Sequence, residues 1–200
     1  MITVENQLFS LHTRHTSYLF RVMETGHLEH LYYGRKIHPA IDGLMEQHAF
    51  APGNTNIYDS EHLQFSLEDA CLEMSSFGKG DIREPFVELT LSDGSETSDF
   101  LFEKFEQGTG KEEFETLPGS YDESGEVEWL GVTLRDKNSG VILELHYYVY
   151  EDCDVITRSA KLINESGDVV KLNRLMSLQL DLEPSDYVSV SYTHLTLPTS

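Results

Sequence analysis

The sequence has few basic residues and no long apolar run. It has 14 lysines and arginines against 35 aspartates and glutamates, which gives a formal charge of −21 at pH 7. Such a chain repels phosphate backbones, so no nucleic-acid partner is expected. No apolar stretch of about eighteen residues suggests a membrane span, and residues 1–15 lack the basic start and apolar run of a secretory signal. We therefore expect a cytoplasmic protein with no membrane contact.

Cysteine and the common catalytic motifs are also scarce. Cys71 and Cys153 are the only cysteines, and their wide separation favours two buried thiols over a disulfide. The nine histidines show no zinc-ligand spacing, and no phosphate-binding loop, dinucleotide fingerprint or nucleophile elbow occurs. We expect no metal and no other cofactor.

What the sequence does contain is alternation of apolar and polar residues. Residues 2–34 predict an antiparallel meander with turns that contain glycine, and strand patterns resume at 63–75. Residues 86–106 predict a hairpin, and residues 107–126 an acidic surface loop. Long strands are predicted over 127–182, with Val141, Leu143, Leu145, Tyr147 and Val149 on one face. No segment of about ten residues carries a helical stripe, so the prediction is an all-β sandwich.

Several polar groups could carry chemistry, but each has a structural alternative. The carboxylates of EDACLE (68–73) and YEDCD (150–154) favour a solvated acidic surface over an acid–base pair, because alternation sends neighbours to opposite faces. Arg83 next to Glu84 predicts a local ion pair, with ligand contact as the alternative. In the pairs Tyr32-Tyr33 and Tyr147-Tyr148, core packing of at least one member is favoured over stacking on a sugar.

Three blocks together carry a family resemblance. They are HLEHLYYG (27–34), FSLEDACLEMSSFGKGDIREPFVEL (65–89) and EDCDVITRSAKLINESGDVVKLNRLMSLQLDL (151–182). Their order and spacing resemble the N-terminal domain of bacterial α-galactosidases of glycoside hydrolase family 36, over about residues 5–187. The resemblance implies a large antiparallel β-sandwich of the galactose-mutarotase-like supersandwich type. In the family this domain precedes a catalytic (β/α)8 barrel, which is missing from these 200 residues.

The resemblance also implies an activity for the parent protein. The family removes terminal α-linked galactose from raffinose-type sugars and melibiose by a retaining mechanism that uses two barrel aspartates. The nucleophile lies in a Lys-Trp-Asp segment and the acid follows a Ser-Gly-Gly-Gly segment. Neither segment is present here; the only tryptophan, Trp129, lies in Glu-Trp-Leu. No catalytic residue is carried over, so the chain alone is expected to be inactive. The alternative is a non-catalytic carbohydrate-binding or oligomerisation sandwich.

One loop is a candidate for substrate contact. Residues 36–60 lose the alternation and hold two prolines, which is long for a connection and typical of functional loops. In the family a loop at this position reaches an active-site mouth, often that of a neighbouring subunit in a tetramer. The resemblance therefore implies a homo-oligomeric parent and places Gln47, His48 and Asn54 at the α-galactoside substrate. A solvent loop is the alternative.

The final residues predict a boundary. The stretch VSYTHLTLPT, residues 190–199, carries no charge and matches one translated frame of a transposase end sequence used in sequencing libraries. We therefore expect the β-sandwich domain to span residues 1–189, and residues 190–200 to be adapter read-through that is excluded from fold arguments.

Overall fold

The computed structural model describes residues 1–38, 44, 56–63, 65–112, 119–123 and 125–181. These residues form an all-β, antiparallel structure, as predicted. The strands are β1 Ile2–Glu5, β2 Leu8–His12, β3 Thr16–Val22, β4 Leu28–Arg35, β5 Val87–Thr90, β6 Phe100–Thr109, β7 Glu128–Asp136, β8 Val141–Tyr150, β9 Val155–Asn164 and β10 Lys171–Leu175. A 3₁₀ turn, Leu67–Asp69, precedes β5.

The first four strands form a meander in the order β1-β2-β3-β4, here called the N-terminal sheet. The meander was predicted, but residues 2–9 contain a hairpin that alternation did not show. Its turn is Asn6-Gln7, with φ values of 49° and 62°, and Glu5 pairs with Leu8. Two positive φ values are the geometry of a two-residue type I′ turn, in which asparagine is favoured. The turn between β3 and β4 uses Gly26 at a φ of 88°, as predicted.

The second four-stranded sheet, here called the long-strand sheet, has the order β6-β7-β8-β9. The predicted inner row on β8, from Val141 to Val149, is buried at every second position. A bulge between Phe102 and Lys104 shifts the register of β6 against β7. Because the bulge inserts one residue, Phe102 and Phe105 both turn toward the core despite their odd spacing.

The core lies between the inner faces of these two sheets. Phe20 of β3 stacks on Tyr147 of β8 with ring centroids 5.1 Å apart, and Phe9 of β2 meets Phe105 of β6 edge-on at 5.4 Å. One cluster of buried side chains joins the two sheets with Phe86, Val87 and Leu89. The arrangement is the predicted β-sandwich.

The predicted hairpin over residues 86–106 is wrong. The turn itself forms, because the Leu91 amide donates to the Ser95 carbonyl at 2.8 Å. However, β5 pairs with β10 in a separate two-stranded sheet, while β6 pairs with β7. Local alternation cannot reveal this exchange, because the partner of β5 lies about eighty residues later in the chain.

Two further segments differ from what the sequence predicts. Residues 65–75 form the 3₁₀ turn and isolated bridges such as Glu29 to Leu72, instead of a regular strand. The acidic segment predicted as a loop from residue 107 begins three residues later at its earliest, because β6 continues to Thr109. Among the described residues, no helix has the length and apolarity needed to cross a membrane.

Candidate functional site

The three residues predicted to contact substrate, Gln47, His48 and Asn54, lie outside the described residues. The structure does describe the chain on both sides of them. On the upstream side, the Lys36 amide donates to the His15 carbonyl at 2.6 Å, and the Ile37 amide donates to the Ser17 hydroxyl at 3.0 Å. The approach to the loop is therefore fixed to the start of β3 in the N-terminal sheet.

The downstream side is fixed by a buried carboxylate, Asp99. The Tyr58 hydroxyl donates to Asp99 at 2.9 Å, and His27 Nε2 lies 3.0 Å from the other carboxylate oxygen. Lys79 contributes a longer ion pair at 3.8 Å and lies 4.9 Å from the centre of the Tyr58 ring. Burial opposes the charge on Asp99, but the hydrogen bonds from its neighbours outweigh it and hold the pKa of this carboxyl below its usual value.

The Gly-Lys-Gly segment beside this carboxylate needs its glycines. Gly78 and Gly80 have φ values of 90° and 87°, which other residues rarely adopt. A Cβ at Gly80 would lie 2.7 Å from the Cβ of Asn56, and one at Gly78 would meet the Thr97 hydroxyl at 2.5 Å. The segment therefore packs tightly against Asn56, near the downstream end of the predicted loop, and against Thr97.

A second buried carboxylate, Glu73, connects the two sheets. It is 0% exposed. Its Oε1 accepts hydrogen bonds from the hydroxyl of Tyr18 at 2.6 Å, the hydroxyl of Tyr147 at 2.8 Å and Nη1 of Arg158 at 2.8 Å. Its Oε2 lies 3.3 Å from Nδ1 of His30. Tyr18 and His30 belong to the N-terminal sheet, whereas Tyr147 and Arg158 belong to the long-strand sheet.

The charge on Glu73 is compensated. Burial raises the pKa of such a carboxyl, but Arg158 and His30 outweigh this, so the pKa of Glu73 lies below its usual value. Burial beside the same carboxylate raises the pKa of both tyrosine hydroxyls. Since Glu73 is out of contact with solvent, it acts as a structural tie and not as a catalytic acid. The expectation that the EDACLE carboxylates form a solvated surface is therefore wrong for this residue.

The ion pair predicted between Arg83 and Glu84 does not form. Arg83 instead binds Asp81 at 2.8 Å and Asp181 at 2.5 Å, and its Nη1 and Nη2 also donate to backbone carbonyls of the 67–70 segment. Glu84 pairs with Arg174 at 2.8 Å. Both arginines connect to residues nearly a hundred positions away, which their local sequence could not show.

The two tyrosine pairs differ in burial. Tyr147 is buried in the core, as predicted, but neither Tyr32 nor Tyr33 is buried. The Tyr32 hydroxyl donates to the Arg35 carbonyl at 2.8 Å. Tyr148 points to the outer side of the long-strand sheet but is also buried, and the Lys111 ammonium lies 5.4 Å from its ring centre. No disulfide joins the cysteines; Cys71 is half-buried, and Cys153 is exposed, contrary to expectation.

The outer face of the long-strand sheet carries a groove with a volume of about 400 Å³. Three rows of paired residues cross the four strands beneath it. The rows are Lys104, Thr133, Glu144 and Lys161; Glu106, Gly131, His146 and Ser159; and Gly108, Trp129, Tyr148 and Thr157. We call this surface the outer groove.

An indole ring forms the floor of the outer groove at one end. A Cβ placed on Gly108 would lie 2.9 Å from Nε1 and 3.1 Å from Cε2 of Trp129. A Cβ on Gly131 would lie 3.5 Å from Cζ3, at the opposite end of the same ring. The ring therefore lies along the sheet between two glycines, a position that larger residues at Gly108 would not allow. Strand glycines mark such close approaches, and Trp129-Leu130-Gly131 was the available signal in the sequence.

Two lysines and three glutamates line the outer groove, so it carries charges of both signs. Lys104 binds Glu106 at 2.7 Å, and Glu144 lies 3.6 Å from Lys161. His146 Nε2 is 3.3 Å from the same Glu144 oxygen. Such a surface offers hydrogen-bond donors and acceptors to a neutral polar ligand. In the part of the chain that the structure describes, no group of three histidine, cysteine or acidic side chains could hold a metal ion.

Comparison with known proteins gives consistent matches over most of the chain. The family model for the glycosyl hydrolase family 36 N-terminal domain matches residues 26–194. The bifunctional α-galactosidase/sucrose kinase AgaSK of Mediterraneibacter gnavus is 30% identical over 90% of this chain and 19% of its own length. α-Galactosidase AgaA of Geobacillus stearothermophilus is 30% identical over 92% of this chain and 25% of its own length.

Solved structures give the same result. The α-galactosidase of Lactobacillus brevis superposes with a TM-score of 0.84 at 34% identity, over 90% of this chain and 25% of that one. A variant of AgaA crystallised in complex with raffinose gives a TM-score of 0.80 at 30% identity, with the same coverage. The chain thus spans between a fifth and a quarter of the length of these relatives. By fold and by sequence, it belongs to the N-terminal domain family of glycosyl hydrolase family 36.

Proposed function

We propose that the chain is the N-terminal β-sandwich of an α-galactosidase that removes terminal α-galactosyl residues from raffinose-type oligosaccharides and melibiose. The observation that carries this proposal is the match of 90% of the chain to the Lactobacillus brevis α-galactosidase. The raffinose and stachyose complexes of AgaA support the substrate class.

The chemistry of the parent enzyme is proposed to be retaining hydrolysis by two carboxylates about 5–5.5 Å apart. The buried carboxylates described above do not suit this task, because Glu73 and Asp99 are each enclosed by their hydrogen-bond partners. We therefore place both catalytic groups outside these 200 residues, and the domain by itself is inactive. A cytoplasmic location and a homotetrameric assembly complete the proposal.

The predicted loop gives the domain a direct part in substrate binding. Amide and imidazole groups can both donate to and accept from sugar hydroxyls, so Gln47, His48 and Asn54 suit a galactoside. Support comes from the two fixed ends: the Ile37 amide is held on the N-terminal sheet, and Tyr58 is held by Asp99. We propose that the loop between them completes the active site of a neighbouring subunit.

The test compares this chain with the full-length protein. The full-length protein should hydrolyse nitrophenyl α-galactoside, melibiose and raffinose, and proton NMR should detect α-galactose as the first product. The chain of 200 residues alone should release no nitrophenol above a mock-purified control. Release by this chain alone, or β-galactose as the first product of the full-length protein, would contradict the corresponding part of the proposal.

The loop is tested in the full-length protein by replacing Gln47 and His48 with alanine. We expect kcat/KM for raffinose to fall about tenfold, equivalent to about 1.4 kcal/mol, the scale of one or two hydrogen bonds. The matched control is Tyr121→Ala, which removes a side chain that is 89% exposed in this chain. Unchanged kinetics of the double variant would remove the loop from the site.

A further inference from the structure

We propose that the outer groove binds a neutral oligosaccharide that carries a galactosyl unit, with Trp129 as the stacking surface. The groove lies on the sheet face opposite the core, so a ligand there does not require the sandwich to open. Its volume of about 400 Å³ falls within the range of roughly 300–1,000 Å³ that is usual for small-molecule sites.

The floor of the groove is built to hold an aromatic ring flat. Gly108 and Gly131 both lie in strands with ordinary φ values, so neither is required for a turn. Glycine is needed at position 108 because it has no Cβ. A Cβ there would lie within 3.1 Å of three atoms of the indole. One face of Trp129 thus rests on the sheet. The other is directed to the groove, where the C–H groups of a sugar ring can pack on it.

The charges around the ring favour a neutral ligand. Two lysines and two glutamates alternate in the rows beside Trp129, and they pair as Lys104 with Glu106 and Lys161 with Glu144. Glu112 adds a third carboxylate to the lining, and a chain with a formal charge of −21 repels anions. Ammonium groups donate and carboxylates accept hydrogen bonds, so together these four side chains match the mixed demands of sugar hydroxyls.

The dimensions favour more than one sugar unit. Three rows spaced two residues apart extend about 13 Å along the strands, and four strands extend about 14 Å across. This area exceeds that of a single hexose ring. The preference for galactose rests on the proposed function, and it agrees with the axial 4-hydroxyl of that sugar, which leaves several C–H groups on one ring face. The neutral oligosaccharide class rests on the groove alone.

The test uses the intrinsic fluorescence of Trp129, the only tryptophan in the chain. Titration of the 200-residue chain with raffinose should change the emission saturably, with a dissociation constant of about 1 mM. Maltotriose, a neutral trisaccharide without galactose, should bind at least fivefold more weakly, and galacturonate should give no change. Saturation-transfer NMR on raffinose provides a second readout that does not need the indole.

Two glycine variants form a matched pair. Gly108→Ala adds a methyl group against Trp129 and should shift the emission of the free protein and weaken raffinose binding at least tenfold. Gly131→Ala adds the same methyl group at an ordinary contact distance of 3.5 Å and should keep binding within about threefold. Trp129→Ala should abolish saturation transfer, whereas Tyr121→Ala, which removes an exposed ring outside the groove, should leave it unchanged.

The outcomes separate this inference from the proposed function. If raffinose gives no saturable change up to about 50 mM, or if Trp129→Ala binds as well as the original chain, the groove is not a sugar site. Equal binding of maltotriose and raffinose would overturn the galactosyl preference. Neither result bears on hydrolysis by the full-length protein, which is measured separately.

Discussion

The two faces of the long-strand sheet are built from the same four strands, and alternate residues of each strand point to one face or the other. On β8 the residues directed inward are valine, leucine and tyrosine, and they are buried. The residues directed outward, Glu144, His146 and Tyr148, line the outer groove. Since neighbouring side chains point to opposite faces, a single strand serves stability on one side and ligand contact on the other.

Polar groups on the two faces also behave differently. On the inner side, Arg158 and Glu73 pair at 2.8 Å with almost no solvent contact. On the outer side, Lys104 and Glu106 pair at 2.7 Å while both remain more than half exposed. A buried pair is costly to break, because the remaining charge has no water to solvate it, whereas an exposed pair contributes about 0–1 kcal/mol. The contribution of an ion pair to the free energy of unfolding therefore depends more on its burial than on the distance between its atoms.

The largest effect is expected when the inner pair is broken. Glu73→Gln keeps an acceptor for the two tyrosine hydroxyls but leaves the buried Arg158 charge without its counterion. We expect the free energy of unfolding to fall by about 3–5 kcal/mol. Urea unfolding followed by circular dichroism and by Trp129 fluorescence measures the change.

A double variant serves as the control for this experiment. Adding Arg158→Met to Glu73→Gln removes the stranded charge and should recover part of the lost stability. A double variant that is as unstable as Glu73→Gln alone would show that packing, and not the charge, makes this site sensitive. A single variant with unchanged stability would contradict the difference between the two faces.

A smaller effect compares two neighbours on β8. Leu145 is 0% exposed and packs in the core, whereas Glu144 faces the outer groove. Leu145→Ala should lower the free energy of unfolding by about 2–5 kcal/mol, through lost burial and the cavity left behind. Glu144→Ala should change it by less than about 0.5 kcal/mol. Similar losses in urea unfolding for both variants would mean that the outer face is also part of the core.

Alternation was sufficient to predict the faces of this sheet, because they depend only on a period of two residues. It could not predict what depends on distant partners. Glu73 was read as a solvated acid because its four partners come from β3, β4, β8 and β9. The pairing of β5 with β10 was missed for the same reason.

The outer groove shows a similar limit. In the sequence, Trp129 was noted only because it does not lie in the Lys-Trp-Asp segment of the family's catalytic nucleophile. Its contact with Gly108 is made across two paired strands, so the two residues could be connected only once the register was known. The loop with Gln47, His48 and Asn54 stays a prediction.

The next effect depends on pH and involves the buried carboxylates. Neighbouring groups hold the pKa values of Glu73 and Asp99 below their usual values of 4.5 and 3.8. A depressed pKa in the folded state contributes stability above the unfolded pKa, and that contribution is lost as the pH falls through the folded pKa. The free energy of unfolding should therefore decline as the pH falls below about 4.5.

Urea unfolding at a series of pH values between 7 and 3 measures this decline. In Glu73→Gln the slope below pH 4.5 should be shallower, because one titrating group has been removed. Glu106→Gln is the matched control on the outer face. The hydrogen bond with Lys104 also lowers the pKa of Glu106, but this pair is exposed and screened by solvent, so the slope should change much less than in Glu73→Gln. An unchanged slope in Glu73→Gln would show that this carboxylate does not couple folding to pH.

The smallest effect on stability is expected for the two strand glycines. Comparing their alanine variants distinguishes the loss of backbone freedom in the unfolded chain from a contact with the indole in the folded chain. Replacing a strand glycine by alanine restricts the unfolded chain and typically adds about 0.4–1 kcal/mol where the native φ is allowed. Gly131→Ala should gain this amount, because its Cβ would meet its neighbours at 3.5 Å or more. Gly108→Ala should gain nothing or lose stability, because the same Cβ would press on Trp129 at 2.9 Å. Thermal unfolding of the two variants measured side by side decides the matter: equal gains would show that the indole moves aside freely and is not held flat by the sheet.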